Sequence, residues 1–144
     1  MSYSTIVVGT DGSESSLLAV RRAASLAAAF DATLVVGCAY YPDQDAAVQA
    51  VRMDSKTVVG DTPAQKNLES AVAAAEEAGC ADVRTVIKAG SPVEALMGIV
   101  TDVDADLLVV GNRGINSLTG RLLGSVPADV ARQSDCDVMI VHTV

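Results

Sequence analysis

A chain of 144 residues, half of them hydrophobic, is long enough to bury one sizeable core, too short for two, and too apolar to be disordered. Its formal charge of -8 argues against a nucleic-acid surface, which needs a basic face to neutralise phosphates, and equally against an anionic membrane. With no Trp, one Phe and three Tyr, the core must be built from Val, Leu, Ile and Ala, as buried parallel sheets usually are.

The start, MSYSTIVVGTDG, runs almost at once into a strand, with no basic and apolar leader ahead of it. No apolar run approaches membrane-spanning length, and Cys38, Cys80 and Cys136 lie far apart with no CxxC. The expectation is a cytoplasmic protein with reduced thiols. His142 is the single histidine, so neither a metal site with ligand spacing nor a Ser-His-Asp triad is arguable.

Ile6 to Gly9 reads as the first strand and Thr10-Asp11-Gly12-Ser13 as the turn beyond it. Ser13 can N-cap a helix to about Phe30, with Leu17, Val20, Ala24 and Ala27 on the inner face and Ser15 and Arg22 towards the outer one. Asp31-Ala32 ends that helix, and Thr33 to Ala39 is a second buried strand. A helix rather than a hairpin separates the two strands, which implies parallel pairing and a right-handed crossover. Periodicity is lost from Tyr40 to about Thr62, a stretch with Pro42, Gly60 and several aspartates. It is expected to be a flap or a partly mobile insertion, with one helical turn near Ala46 to Val51.

A helix is expected over about Ala64 to Ala78, with Leu68, Val72 and Ala75 inward and Gly79 at C′. Val83 to Lys88 alternates enough to be an edge strand. Ser91-Pro92-Val93-Glu94 is a capping-box start, and Val93, Leu96, Met97 and Val100 form the apolar stripe of the helix it opens. Leu107 to Val110 is a fully apolar strand, a further helix runs to about Ser134, and Val138 to Val141 is the last strand. Five strands alternating with four helices predict an α/β, doubly wound parallel sheet with helices on both faces, forming a single domain over 1–144.

Chemistry concentrates between Leu107 and Ser125. A buried strand breaks at Gly111, and a glycine-rich loop leads to Ser125-Val126-Pro127, a helix start with Ser125 as a hydroxyl N-cap and a proline in the first turn. Strand, glycine loop and helix N-terminus together aim backbone N–H groups and the helix dipole at an anion. The pattern is neither a Walker loop, since the only lysines are Lys56, Lys66 and Lys88, nor a GxGxxG turn.

The spacing Gly111-x2-Gly114-x9-Gly124-Ser125 resembles the nucleotide-binding signature of the universal stress protein family. Val8-Gly9-Thr10-Asp11-Gly12-Ser13, Gly90-Ser91-Pro92, Asp106 to Gly111 and Val138-Met139-Ile140-Val141 extend the resemblance over the chain. It implies strand order 3-2-1-4-5, with winding reversed between the first and fourth strands and a ligand crevice at that point. The implied walls are Gly9, Thr10 and Asp11 on one side, Val110, Gly111, Asn112, Arg113 and Gly114 on the other, and Gly124, Ser125 and Val126 across the end.

Gly111 and Gly114 would let backbone approach phosphate without Cβ clashes, and the amides of Arg113, Gly124, Ser125 and Val126 would donate to it, with the Ser125 hydroxyl adding one bond. By resemblance, backbone near Ala39 faces the adenine and Asp11 lies beside the nucleoside, as a ribose partner or a water-bridged metal contact; a turn aspartate capping local amides is the alternative. Arg113 either screens phosphate or is an exposed loop arginine.

The implied function is an adenine-nucleotide-binding, ATP-binding regulatory protein of the stress response, with Mg held through the phosphates. Cyclic AMP binding and a ligand-free dimerising adaptor are the alternatives. Any hydrolysis would be slow, since no general base, catalytic lysine or arginine finger can be named. The unprotected apolar run at Val138 to Val141 predicts a homodimer through the last strand.

Overall fold

A computed structural model describes residues 3–49, 57–112 and 125–143. Its elements run β1 (Thr5–Gly9), α1 (Glu14–Phe30), β2 (Thr33–Tyr40), α2 (Gln44–Gln49), α3 (Asp61–Glu77), β3 (Val83–Ala89), α4 (Pro92–Val103), β4 (Leu107–Gly111), α5 (Ser125–Gln133) and β5 (Asp137–Val141). The strands form one five-stranded sheet in the order β3-β2-β1-β4-β5, with every pairing parallel. This is the expected doubly wound α/β fold, in the expected order. The sequence reading differs at α2, which is a short helix that begins two residues before the expected turn, and at α3, which starts at Asp61 rather than near Ala64.

Both faces of the sheet are buried, which explains the unbroken apolar runs. Ile6, Val8, Leu34, Val36, Leu107 and Val109 point into one core, under α1 and α3. Val7, Val35, Leu108 and Val110 point into the other, under α4 and α5, with Leu96, Ile99 and Val130. The outer strands β3 and β5 are only partly covered, as edges must be.

Two glycines set how closely α4 sits on the sheet. Gly9 and Gly37 are register partners on β1 and β2. A Cβ on Gly9 would stand 3.0 Å from Leu96 Cδ2, and one on Gly37 only 2.6 Å from Ile99 Cδ1. Their missing side chains are the seats of two core residues of α4.

The caps obey the sequence. Ser13 Oγ accepts from Ser16 N at 3.2 Å and Ser91 Oγ accepts from Glu94 N at 3.3 Å, with Pro92 in the first turn of α4. Ser91 Oγ also donates to Glu94 Oε1 at 2.9 Å, tying the two ends of the box together. Gly79 has a φ of +97°, the left-handed C′ position expected of it. Two other helices end without glycine: Asp31 (φ 55°) closes α1 and Asp104 (φ 52°) closes α4, and in each case the next residue, an alanine, bonds back to the last turn.

Asp106 clips the start of β4 to the start of β1, its carboxylate accepting from Ser4 N at 2.9 Å and Thr5 N at 3.1 Å. The 40–62 stretch is pinned at its neck, with Tyr41 N donating to Val58 O and Gly60 N to Tyr41 O, each at 2.8 Å. Its middle, 50–56, lies outside the described residues. Cys38, Cys80 and Cys136 are all unpaired thiols. No helix among the described residues is long and apolar enough to cross a membrane.

Two stability measurements test this packing. Gly37→Val should overpack the Ile99 seat and destabilise by about 1–3 kcal/mol in urea melts, whereas an unchanged midpoint would mean that α4 shifts freely. Asp104→Gly should stabilise by about 0.5–1 kcal/mol, by relieving a left-handed residue and removing a negative charge from a helix C-terminus. That corresponds to a rise of about 2 °C in Tm, and a fall would show that the aspartate is held there by something stronger than its conformation costs.

Candidate functional site

The reversal of winding opens the carboxyl ends of β1 and β4. β1 pairs with β2 on one side and β4 on the other, and the connections that leave their carboxyl ends lead to opposite faces, from β1 to α1 on one and from β4 to α5 on the other. At such a point no helix can cover the strand ends, so topology alone produces a crevice.

The wall contributed by β1 is a self-satisfied turn. Thr10 is buried, its N–H continues the ladder to Gly37 O at 2.9 Å, and its Oγ1 accepts from Gly12 N at 3.1 Å. Asp11 Oδ1 accepts from Ser13 N at 2.9 Å, and Thr10 Oγ1 lies 3.0 Å from Ser16 Oγ. The amides of Gly12 and Ser13 are thus already bonded within the turn, and Asp11 does cap a local amide. Gly12 is obligatory here: its φ is +84°, and a Cβ would stand 2.3 Å from Asn67 Oδ1 of α3.

Behind the turn, Ala39 lies half-buried near the end of β2, level with Lys88 of β3. Its neighbour Cys38 points into the core beneath α1 and α3, where burial pushes the thiol up, partly offset by Asn67 Nδ2 at 3.8 Å from Sγ. The thiol is therefore a neutral, apolar part of the floor.

The wall contributed by β4 is more unusual. Val110 is buried in the core shared by α4 and α5, and Gly111 ends the strand opposite Val141. A Cβ on Gly111 would crowd Thr143, whose Cγ2 and Oγ1 would each lie 3.2 Å from it. Asn112 is buried, extends the ladder through its N–H to Val141 O at 2.9 Å, and turns its carboxamide towards the residues after β5. Its Oδ1 accepts from Thr143 N at 2.8 Å, and its Nδ2 lies 3.1 Å from His142 Nδ1. The Thr143 bond fixes which way the amide points, so Nδ2 donates, Nδ1 accepts, and the imidazole proton sits on Nε2.

Thr143 Oγ1 also lies 2.6 Å from Ser15 Oγ in the first turn of α1. The sequence reading puts Ser15 towards the outer face of that helix; it is buried instead, at the head of the ridge Ser15, Ala19, Ala23, Ala27. The i, i+4 spacing of small residues is the signal for this ridge, and the larger Leu17 and Val20 draw attention from it.

At the far end α5 begins at Ser125 itself, which makes that residue the first of the helix instead of the expected N-cap, and Val126 packs partly against the α4/α5 core. Pro127 has no N–H, and the remaining first-turn amides are those that a helix cannot satisfy internally. Arg113, Gly114 and Gly124 lie outside the described residues. The structure thus gathers Gly9, Thr10, Asp11, Gly111 and Asn112 at two adjacent strand ends, with Ala39 one strand further out. Thr143, Ser15, His142 and Asn67 are the neighbours that sequence reasoning passed over.

Comparison with known proteins identifies the family. The model of the universal stress protein family matches residues 2–142. Universal stress protein Rv1636 of Mycobacterium tuberculosis is 47% identical over 143 residues, spanning 98% of this chain and 97% of the relative. A universal stress protein solved in complex with cAMP superposes with a TM-score of 0.80 at 45% identity, over 100% of both chains. The universal stress protein of Archaeoglobus fulgidus in complex with dAMP shares the fold, with a TM-score of 0.72 at 20% identity over 98% of this chain and 99% of its own. From the strand order, the sequence match along nearly its whole length and these likenesses, the chain belongs to the universal stress protein family.

Proposed function

We propose that this protein binds an adenine nucleotide in the crevice between the carboxyl ends of β1 and β4, and acts as a cytoplasmic, single-domain regulator in the stress response. The observation that carries the reading is the placement of the two ends of the glycine pattern. Gly111-Asn112 leave β4 at the winding reversal, and Ser125-Val126 open α5. A relative 45% identical to this chain was solved with cAMP, which supports the same class of ligand.

Because the amides of the Thr10–Ser13 turn are bonded internally, phosphate must draw its donors from the other wall. Those donors are the amides of Arg113 and Gly124 to Val126, assisted by the α5 dipole. The turn supplies shape and the Asp11 carboxylate beside the nucleoside, and backbone near Ala39 faces the base. ATP is the first reading. With ATP, Mg would be carried through the phosphates, since no group of three His, Cys, Asp or Glu side chains that could hold a metal occurs among the described residues. Cyclic AMP is the second reading, favoured by the cAMP-bound relative.

The exposed edge supports a homodimer. β5 closes one side of the sheet, and Ile140 is exposed on it. A twofold contact in which each β5 meets its copy antiparallel would cover that edge.

Calorimetry on protein stripped of co-purified ligand, with Mg-ATP and cyclic AMP in parallel, tests the binding reading. Saturable binding of one of them is expected, and Gly114→Thr should weaken it about tenfold or more, about 1.4 kcal/mol, without changing the circular dichroism. No binding of either at millimolar nucleotide would remove the class. For the assembly, light scattering should give twice 14.7 kDa, moving towards the single mass in Ile140→Lys. A wild-type monomer at tens of micromolar would refute the interface.

A further inference from the structure

We propose that Thr143 is a positioning residue for the nucleotide crevice, holding Asn112 and the first turn of α1 together and so fixing the point from which the glycine loop departs. The inference rests on the reading of that crevice as a nucleotide site.

The hydrogen bonds around Thr143 run in one direction only. Asn112 Oδ1 accepts the Thr143 N–H at 2.8 Å and lies 3.3 Å from Thr143 Oγ1. A carbonyl oxygen has no proton to give, so the Thr143 hydroxyl is the donor in the second contact. That hydroxyl has a single proton, so in the 2.6 Å contact with Ser15 the serine must donate. The chain reads Ser15 Oγ–H to Thr143 Oγ1, Thr143 Oγ1–H to Asn112 Oδ1, Asn112 Nδ2–H to His142 Nδ1. Ser15 and Asn112 are both buried, so bulk water is a poor substitute for either bond.

The consequence is mechanical. Gly111 and Asn112 are the last described residues before the glycine loop, and Asn112 is gripped through both backbone and carboxamide by residues on either side of the end of β5. Thr143 fills the space beside Gly111 and hands the load to Ser15, two residues beyond the Ser13 cap of α1. The β4 wall and the α1 turn, the two sides of the crevice, are therefore locked to each other through a residue that belongs to neither. A phosphate cradle of backbone amides depends on donors held in place before the ligand arrives. Thr143 provides that hold at the loop's departure point.

The test compares wild type with Thr143→Val, Thr143→Ser and Ser15→Ala, by calorimetry with Mg-ATP and cyclic AMP and by amide exchange in the ligand-free protein. Thr143→Val keeps the shape and removes the hydroxyl. It should weaken whichever nucleotide the wild type binds by about fivefold, the factor carried by one neutral hydrogen bond, and speed exchange at Asn112. Ser15→Ala should weaken binding in the same direction, with the double variant no worse than the more affected single one, because the two hydroxyls act as one chain. Thr143→Ser restores the hydroxyl and should bind within about twofold of wild type.

Wild-type affinity in Thr143→Val, or no rescue by Thr143→Ser, overturns the inference. Should Thr143→Val fail to fold, Ser15→Ala and Thr143→Ser decide it by the same criteria. A wild-type protein that binds neither nucleotide overturns the proposed function instead. Exchange at Asn112 then tells whether the latch itself exists: faster in Thr143→Val if it does, unchanged if it does not.

Discussion

Because β1 pairs with β4, two segments far apart in sequence lie side by side at the centre of the sheet, and the rest of the molecule arranges itself around that contact. The pairing runs over Ile6, Val7 and Val8 against Leu107, Leu108 and Val109, with their side chains alternating into the two cores. Asp106 secures its beginning, through two backbone amides of the opposite strand and its approach. Its other end stays open, since the connections leave for opposite faces. The crevice is therefore a consequence of strand order.

The two walls do different physical work. The turn after β1 consumes its own amides, through Thr10 Oγ1 and the Asp11 carboxylate, and is closed on itself. The wall after β4 keeps its side chains busy with the neighbouring strand end, so that Gly111 and Asn112 serve as the fixed base of the glycine pattern. In the proposed site, a turn closed on itself on one side and backbone donors on the other would let a chain of net charge -8 hold an anion. Oriented dipoles act within a few ångströms, whereas the repulsion of distant surface carboxylates is screened by salt.

Most of the fold was legible because its signals are local. Ser13, Ser91-Pro92 and Gly79 declare helix ends by their own chemistry, and runs such as Leu107 to Val110 declare strands buried on both faces. What escaped was set by tertiary contact. Ser15 is polar and near a helix start, so its sequence suggests exposure; only the arrival of Thr143 from a far part of the chain explains why it is buried. Asp31 and Asp104 adopt left-handed conformations usually left to glycine or asparagine, and nothing in their neighbourhood announces it. Gly9 and Gly37 look like strand ends and strand interruptions, yet their use is to receive Leu96 and Ile99 from a helix that comes much later. The site shares this division: strand order and glycine spacing are readable, while the second layer of contacts that steadies it is not.

The buried thiols carry one more implication. Cys38 and Cys80 sit in the core with their thiols pushed up by burial, so at neutral pH neither is a thiolate. Peroxides and electrophiles attack thiolates, and they must also reach them. Both buried sulfurs are therefore poor targets for such reagents, and at Cys38, near the carboxyl end of β2, this keeps the packing behind the turn after β1 independent of the redox chemistry of the surrounding solution.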